Sequence, residues 1–502
     1  MSLLRSILTR ALRRPRATLV VDDRGETSAI KLVLGSMFLA RHVRRLTDRP
    51  HVGLMLPTSG AFAMSLLGCW LQRRAAVPLN YLLSKDELNY VINDSGIDTI
   101  LTSRKLLDAL EIEAKDVAPA KLVCLEDLSF KGLPPLRWPP KHADDELAVL
   151  VYTSGTSGKP KGVELTFGNL ESNVNDAIAF AELKQSTRFL GVLPQFHSFG
   201  ITVLTLCPLV LGAKVIYTAR FVPRKIVDLI REHRPDIFVG VPSMFAALLN
   251  VKNAEPADFS SLVYPISGAE PLPDSVYERF LDRYGVKILE GYGLTETSPA
   301  CNWSKPSAHK RHSVGKPLPR VRNLIVGDDG KTLLGPGEDG EIAIAGPNVM
   351  RGYHHLPELT DEVIRSLDVP GESEPVRAFF TGDIGRVDDE GFLFITGRKK
   401  EMLIVGGENV FPREIEDVLV QHESVAAAAV IGQRDDVRGE VPVAFIELAE
   451  GVDREAFDDG PLRSFAREKL AGYKVPREIR VVERLPRSPT GKILRRELRV
   501  QE

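Results

Sequence analysis

Between residues 50 and 300 the chain alternates short apolar runs with longer stretches in which apolar residues recur every three or four positions. The short runs, over 52–56, 99–102, 122–125, 147–152, 214–217, 236–240, 262–266 and 287–289, predict strands. The longer stretches, over 61–71, 85–93, 105–114, 170–181, 203–211, 224–232 and 274–283, predict helices. Repeated strand–helix units imply parallel sheet with helices on its faces, the α/β class. The proline-rich stretch 133–140 marks a linker or a seam between subdomains. Around 320–345 short strands are separated by turns at Asp328, Asp329 and Gly330 and at Gly335, Pro336 and Gly337, which predicts a small antiparallel or β-barrel-like subdomain. After residue 397 helices over 413–420 and 461–469 and strands over 425–431, 441–448 and 478–482 form a compact α+β unit.

The first fourteen residues also carry a helical period, with Leu3, Leu4, Ile7, Leu8 and Leu12 on one stripe and Arg5, Arg10, Arg13 and Arg14 around it. A helix docked on its own domain with solvated arginines is the preferred reading. An anionic membrane surface or a transit peptide is the alternative.

Length changes the picture by requiring division, since 502 residues exceed what one core holds, roughly 250–300. The expected boundary separates 1–397 from 398–502. With 65 Lys and Arg against 67 Asp and Glu, the chain lacks the basic surplus of a nucleic-acid binder. Cys69, Cys124, Cys207 and Cys301 have no paired spacing, which argues against zinc sites and disulfides and suits a reducing cytoplasm. The longest apolar run, 200–213, is broken by Pro208 and Gly212 and is shorter than the roughly 20 residues a bilayer requires. It reads as a buried helix.

The strongest chemical signal follows the strand ending at Tyr152. Thr153, Ser154, Gly155, Thr156, Ser157 and Gly158 precede Lys159, Lys161 and Gly162. Glycines let backbone N–H groups converge on an anion, hydroxyls add donors and lysines add charge, a combination suited to polyphosphate. The spacing is not that of a Walker A loop, which weakens a kinase or phosphate-loop ATPase reading.

This segment resembles the phosphate loop of the adenylate-forming superfamily, which includes acyl-CoA synthetases. Four further motifs follow in the family's order: 291–297 (GYGLTET), 380–383 (FTGD), 397–401 (GRKKE) and 489–493 (PTGKI). The resemblance spans residue 17 to the C-terminus. It implies ATP-dependent activation of a carboxylate as acyl-AMP, with release of pyrophosphate, then transfer to a thiol by rotation of a small mobile C-terminal domain. Positive charge is needed where two anions meet.

By resemblance, Thr153 to Gly158 and Lys161 hold the outer phosphates, and Glu296 with Thr153 holds Mg²⁺, a hard cation that takes oxygen ligands. Tyr292 lies against the adenine, with Gly268, Ala269, Glu270, Gly291, Gly293, Leu294 and Thr295 bordering that pocket. Asp383 accepts the ribose hydroxyls, reinforced by Arg398, and Lys492 touches the reacting carboxylate and α-phosphate. Lys400 is the hinge, and Gly406, Gly407 and Glu408 border the tunnel of the incoming thiol. A plain β-turn is the competing reading of the two glycines.

His197, in the run 194–200 (PQFHSFG), falls where the family lines its carboxylate pocket. Amino-acid-activating relatives carry aspartate there to pair the substrate ammonium, so an amino acid is disfavoured. The resemblance is closest to fatty-acid-activating members and to acyl-acyl-carrier-protein synthetases. The expected function is therefore medium- or long-chain fatty acid–CoA ligase, with coenzyme A or the phosphopantetheine of an acyl carrier protein as acceptor. The alternatives are an aromatic carboxylate or an inactive relative, the latter opposed by the presence of Glu296, Asp383, Arg398 and Lys492. The nine basic residues over 474–499 suit either acceptor's negative charge, or a solvated face.

Overall fold

In the computed structural model, residues 2–134, 138–153, 159–406, 408–435, 438–449, 451–487 and 493–498 are described. Two large sheets and two small ones organise them. One large sheet runs in the order Lys316–Pro317, Ala300–Trp303, Leu289–Gly293, Tyr264–Ser267, Ile237–Gly240, Arg188–Gly191, Lys214–Tyr217, Thr18–Asp22 and Gly25–Ser28. Its strands from Leu289–Gly293 to Thr18–Asp22 pair in parallel, and antiparallel strands close both edges. The other is ordered Gly352–Tyr353, Lys161–Thr166, Leu147–Thr153, Ala75–Pro78, His51–Met55, Thr99–Thr102 and Lys121–Cys124. The core packs between them. Trp70, Phe62 and Phe189 are fully buried there, and Trp70 donates its ring N–H to the Ala148 carbonyl at 2.9 Å.

The expected change of texture near 320 is present as an antiparallel sheet of Arg322–Val326, Gly340–Ala345, Ile364–Leu367, Val376–Val387 and Leu393–Arg398. A fourth sheet holds Leu403–Val405, Glu408–Val410, Val425–Asp435, Gly439–Leu448 and Glu478–Val481, with helices Pro412–Leu419 and Gly460–Lys469.

The N-terminal helix, Leu3–Arg13, docks as preferred: Leu3, Leu4, Ile7, Leu8 and Ala11 are each at most 2% exposed. Burying each large aliphatic side chain stabilises by about 2 kcal/mol, which secures the helix to the protein and withdraws its stripe from any bilayer. Leu12 departs from the stripe and is half exposed.

The buried helix expected over 203–211 is present in another form. Ser198–Ile201 is α-helical, Thr202–Leu206 widens to a π-helical turn, and Cys207–Leu211 resumes the α form. The widening follows from a polar network inside the apolar wall. Thr205 Oγ1 donates to the Gly200 carbonyl at 2.8 Å and accepts from Gln195 Nε2 at 2.8 Å. Side chains inserted into a helical ladder in this way bend it, often at functional sites. The helix expected over 105–114 is shorter, Arg104–Leu110, because Glu111 takes a positive φ of 51°.

In the C-terminal unit Arg495 donates from Nε and Nη2 to Glu416 at 2.9 and 2.6 Å, and from Nη1 to Glu401 at 2.8 Å. Glu416 also accepts the Val430 N–H at 2.6 Å. Removing one partner strands a buried charge, so Arg495→Met is expected to destabilise this unit by about 3–5 kcal/mol in denaturant unfolding.

Candidate active site

The strands Leu147–Thr153 and Lys161–Thr166 form a hairpin in which Thr153 and Lys161 are register partners. The intervening chain therefore leaves and re-enters the sheet side by side. Ser154, Gly155, Thr156, Ser157 and Gly158 lie outside the described residues. Lys161 Nζ stands 5.5 Å from the ring centre of Tyr353. Tyr353 donates its hydroxyl to Glu296 Oε1 at 2.8 Å, and its strand pairs with the one carrying Lys161.

Glu296 lies on the tight turn Thr295–Thr297, one residue beyond the strand Leu289–Gly293. Its carbonyl accepts the Met350 N–H at 2.7 Å. Burial pushes its carboxyl pKa up, while the Tyr353 hydrogen bond and the charges of Lys161 and Arg398 pull the other way. The Tyr353 hydroxyl orients one carboxyl oxygen, and the Glu296 backbone N–H also bonds to the group. A half-buried carboxylate oriented by a hydroxyl, with the charge of Lys161 acting on it, fits a hard divalent cation.

A second cluster adjoins the first. Asp383, 3% exposed, accepts from Tyr292 Oη at 2.6 Å, and Arg398 Nε lies 2.9 Å from its other oxygen. Arg398 is held there by strand register, since Asp383 and Arg398 are cross-strand partners. Burial and then the neighbouring Asp383 charge hold the Tyr292 phenol well above its ordinary pKa, so it remains a donor. Each carboxylate oxygen keeps a second acceptor site.

The backbone between these side chains is bare. Gly268 follows the strand Tyr264–Ser267, and a Cβ there would meet only the Gly291 carbonyl, at 3.5 Å. Ala269 holds a positive φ of 68°, and Glu270 follows it. A Cβ on Gly293 would lie 2.1 Å from the Pro299 carbonyl oxygen, so no side chain fits there, and Leu294 donates its N–H to that carbonyl. All of this lies at the carboxyl ends of parallel strands, where open α/β sheets form their ligand crevices.

His197 joins through its neighbours. Ser198 Oγ and Thr295 Oγ1 share a hydrogen bond at 3.3 Å, tying the His197 segment to the turn of Glu296. The His197 ring leans on Phe196 at 4.6 Å, and Phe196 meets Tyr81 edge-on at 4.9 Å. Burial lowers the His197 pKa to about 4, and its Nε2 has no hydrogen-bond partner among the described residues. It is a neutral imidazole, partly buried against Phe196. Between pH 6.5 and about 4 the unfolded chain binds a proton here that the folded chain refuses, so stability falls as pH falls through that window. His197→Gln should remove about 3 kcal/mol of that decline, read by urea unfolding at pH 7 and pH 4.

Lys400 lies on the turn Lys399–Glu401, directly after Arg398. Gly406, with φ of 62°, turns the hairpin between Leu403–Val405 and Glu408–Val410, and Glu408 is exposed. Gly407 and Lys492 lie outside the described residues.

Sequence reasoning passed over two positioning residues. No local signal tied Tyr353 to Glu296, 57 positions away. Gln195 accepts the Ser59 N–H at 2.8 Å and donates to Thr205, fixing the His197 segment from behind. Its signal was a lone amide between apolar neighbours, Pro194 and Phe196.

Comparison with known proteins identifies the family. The model of the AMP-binding enzyme family matches residues 8–354, and that of the AMP-binding enzyme C-terminal domain matches 414–492. The long-chain-fatty-acid–CoA ligase of Bacillus subtilis is 33% identical over 518 residues, covering 95% of this chain and 89% of that one. A feruloyl-CoA synthase of an Amycolatopsis species is 33% identical over 508 residues, covering 98% and 97%. The o-succinylbenzoate coenzyme A synthetase of Bacillus subtilis, solved with ATP and magnesium ion, superposes with a TM-score of 0.84 at 29% identity, over 98% of both chains. The chain belongs to the AMP-binding, adenylate-forming enzyme family, and is an AMP-forming acid–CoA ligase that uses ATP, Mg²⁺ and coenzyme A.

Proposed function

We propose that the acid is a medium- or long-chain fatty acid and that coenzyme A, rather than the phosphopantetheine of an acyl carrier protein, receives the acyl group. The observation that carries this reading is His197, neutral beside Phe196, its Nε2 without a partner among the described residues, followed in the chain by a buried and largely apolar stretch, 201–211, whose polar side chains are Thr202 and Thr205. Such surroundings offer no charge to an ammonium and gain by covering methylenes. The aromatic pair Tyr81 and Phe196 favours, as second reading, an aromatic acid of the feruloyl kind. The four free, buried thiols support a reducing, cytoplasmic setting.

In this reading Thr153, Ser154, Gly155, Thr156, Ser157, Gly158 and Lys161 bind the outer phosphates. Glu296 and Thr153 hold Mg²⁺, which when bound neutralises phosphate charge. Tyr292, with the bare backbone of Gly268, Ala269, Glu270, Gly291, Gly293, Leu294 and Thr295, receives the adenine. Asp383, braced by Tyr292 and Arg398, accepts the ribose hydroxyls. A carboxylate oxygen attacks the α-phosphorus, the bond to the bridging oxygen breaks, and pyrophosphate departs with that electron pair. Lys492 offsets the charge gathering at that phosphorus. The domains divide at 397/398, the C-terminal one swivels about Lys400, and Gly406, Gly407 and Glu408 admit the thiol, which displaces AMP.

Acid-dependent exchange of labelled pyrophosphate into ATP, run from acetate to stearate and with ferulate, followed by coenzyme A or holo-carrier protein, tests the reading. Each buried methylene is expected to raise kcat/KM by about fourfold. A maximum at acetate or ferulate, or transfer only to carrier protein, would replace it.

A further inference from the structure

Three stretches whose described residues contain no Asp or Glu touch one another: residues 2–21, the helix Ala29–Leu46, and 128–134 with 138–143. The chain as a whole is nearly neutral, at a formal charge of −2, so this grouping is local. Arg41 Nη2 donates to the Ser129 carbonyl at 3.0 Å, with His42 Nε2 2.9 Å from the same oxygen, and Phe130 packs edge-on against Phe38 at 5.8 Å. Arg5 Nε donates to the Pro139 carbonyl at 3.0 Å. The segment is thus pinned at one end to the helix Ala29–Leu46 and at the other to Leu3–Arg13.

Its described residues offer large apolar groups to solvent. Phe130 is 43% exposed, Leu133 87% and Trp138 77%. Arg13, Arg14, Lys131 and Lys141, on the same elements, are also exposed. Most exposed apolar residues stand singly, whereas clustered ones mark interaction sites.

We propose that this face docks on the surface of an anionic phospholipid bilayer. Tryptophan and leucine gain by entering the interfacial layer, and arginine and lysine gain from lipid head-group charge. The contact uses none of the helix Leu3–Arg13 stripe, which the protein core already occupies. A nucleic acid would use the charge but offers no apolar depth for Leu133. This docking is independent of which acid the enzyme activates.

The three tryptophans make the test direct. Trp70 and Trp303 are 0% and 3% exposed, so solvent-accessible emission comes from Trp138. Full-length protein is mixed with vesicles of phosphatidylcholine alone, or of phosphatidylcholine with phosphatidylglycerol, then sedimented and examined by fluorescence. Expected are pelleting, a blue shift and loss of acrylamide quenching with phosphatidylglycerol vesicles only, all reversed by high salt. The double variant Leu133→Ser/Trp138→Ser should lower the partition coefficient by about tenfold or more, and Arg13→Glu/Arg14→Glu by about tenfold. Both should retain pyrophosphate exchange, which separates docking from folding and from the ligase reading. No shift with phosphatidylglycerol vesicles, or equal binding by the Leu133/Trp138 variant, overturns the proposal. Binding to single-stranded DNA or holo-carrier protein without vesicle binding overturns it too and names the other partner.

Discussion

Lys492→Ala is expected to lower acid-dependent pyrophosphate exchange by about 10²–10³-fold while leaving thioester formation from supplied acyl-AMP within about threefold. The asymmetry follows from where charge develops. Carboxylate attack on ATP brings anionic groups together, and one ammonium at that point is worth about 3–4 kcal/mol in a water-excluded site. Thiol attack on the finished acyl-AMP has no such convergence. The chain following Lys492 is anchored: Ile493 bridges to Arg487, the Leu494 N–H bonds the Pro486 carbonyl at 2.7 Å, and Arg495 grips Glu416 and Glu401. Because Arg495 supplies the anchor, alanine at 492 should leave unfolding midpoints unchanged. Equal loss in both half-reactions would mean that Lys492 serves the whole site and that no domain swivel separates the steps.

Glu296→Gln is expected to cost a comparable factor, about 10²–10³ in kcat/KM for ATP, and to raise the Mg²⁺ concentration needed for half-maximal rate. Glutamine keeps the shape and can still accept from Tyr353, so the change isolates the charge. Since burial raises the Glu296 pKa, protonation competes with the cation as pH falls, and Mg²⁺ dependence should steepen on the acid side in the parent enzyme. The variant should lose that steepening. Tyr353→Phe supplies the control: Glu296 remains charged but unoriented, so the Mg²⁺ requirement should rise by less. Were Glu296→Gln to leave the Mg²⁺ requirement untouched, the cation would have to be held elsewhere.

Much of this site is local in origin and was legible for that reason. The strand entering at Leu147 announces itself by its apolar run, and the glycines, hydroxyls and lysines after it state an affinity for phosphate without any partner. The motif at 291–297 is likewise contiguous, with Gly291 and Gly293 preceding Glu296. By contrast, the helix Ala29–Leu46 went unassigned, although Ser28 caps it through the Lys31 N–H at 3.4 Å. Its period is blurred by Gly35 and Ser36, which are buried where the neighbouring helix passes close: a Cβ on Gly68 would lie 3.2 Å from the Ser36 carbonyl. Small residues at a helix crossing look polar in sequence and are apolar in effect.

The N-terminal stripe shows the same divide from the other side. Its leucines and arginines dictate an amphipathic helix, yet they state only that something apolar must cover one face. The core of this protein covers it, while Leu133 and Trp138, in a stretch that read as a linker, are left facing solvent.

The chain's own order of residues thus determined the alternation that makes parallel sheet, the phosphate-binding chemistry after Tyr152, and the superfamily to which its motifs belong, because each is written within a few neighbouring positions. Tertiary structure alone decided that Tyr292 braces Asp383, that Tyr353 orients Glu296, that His197 is neutral, and which apolar faces stay open. Those outcomes depend on through-space distances of a few ångströms between residues far apart in the chain, and burial and electrostatics act only once the fold has set those distances.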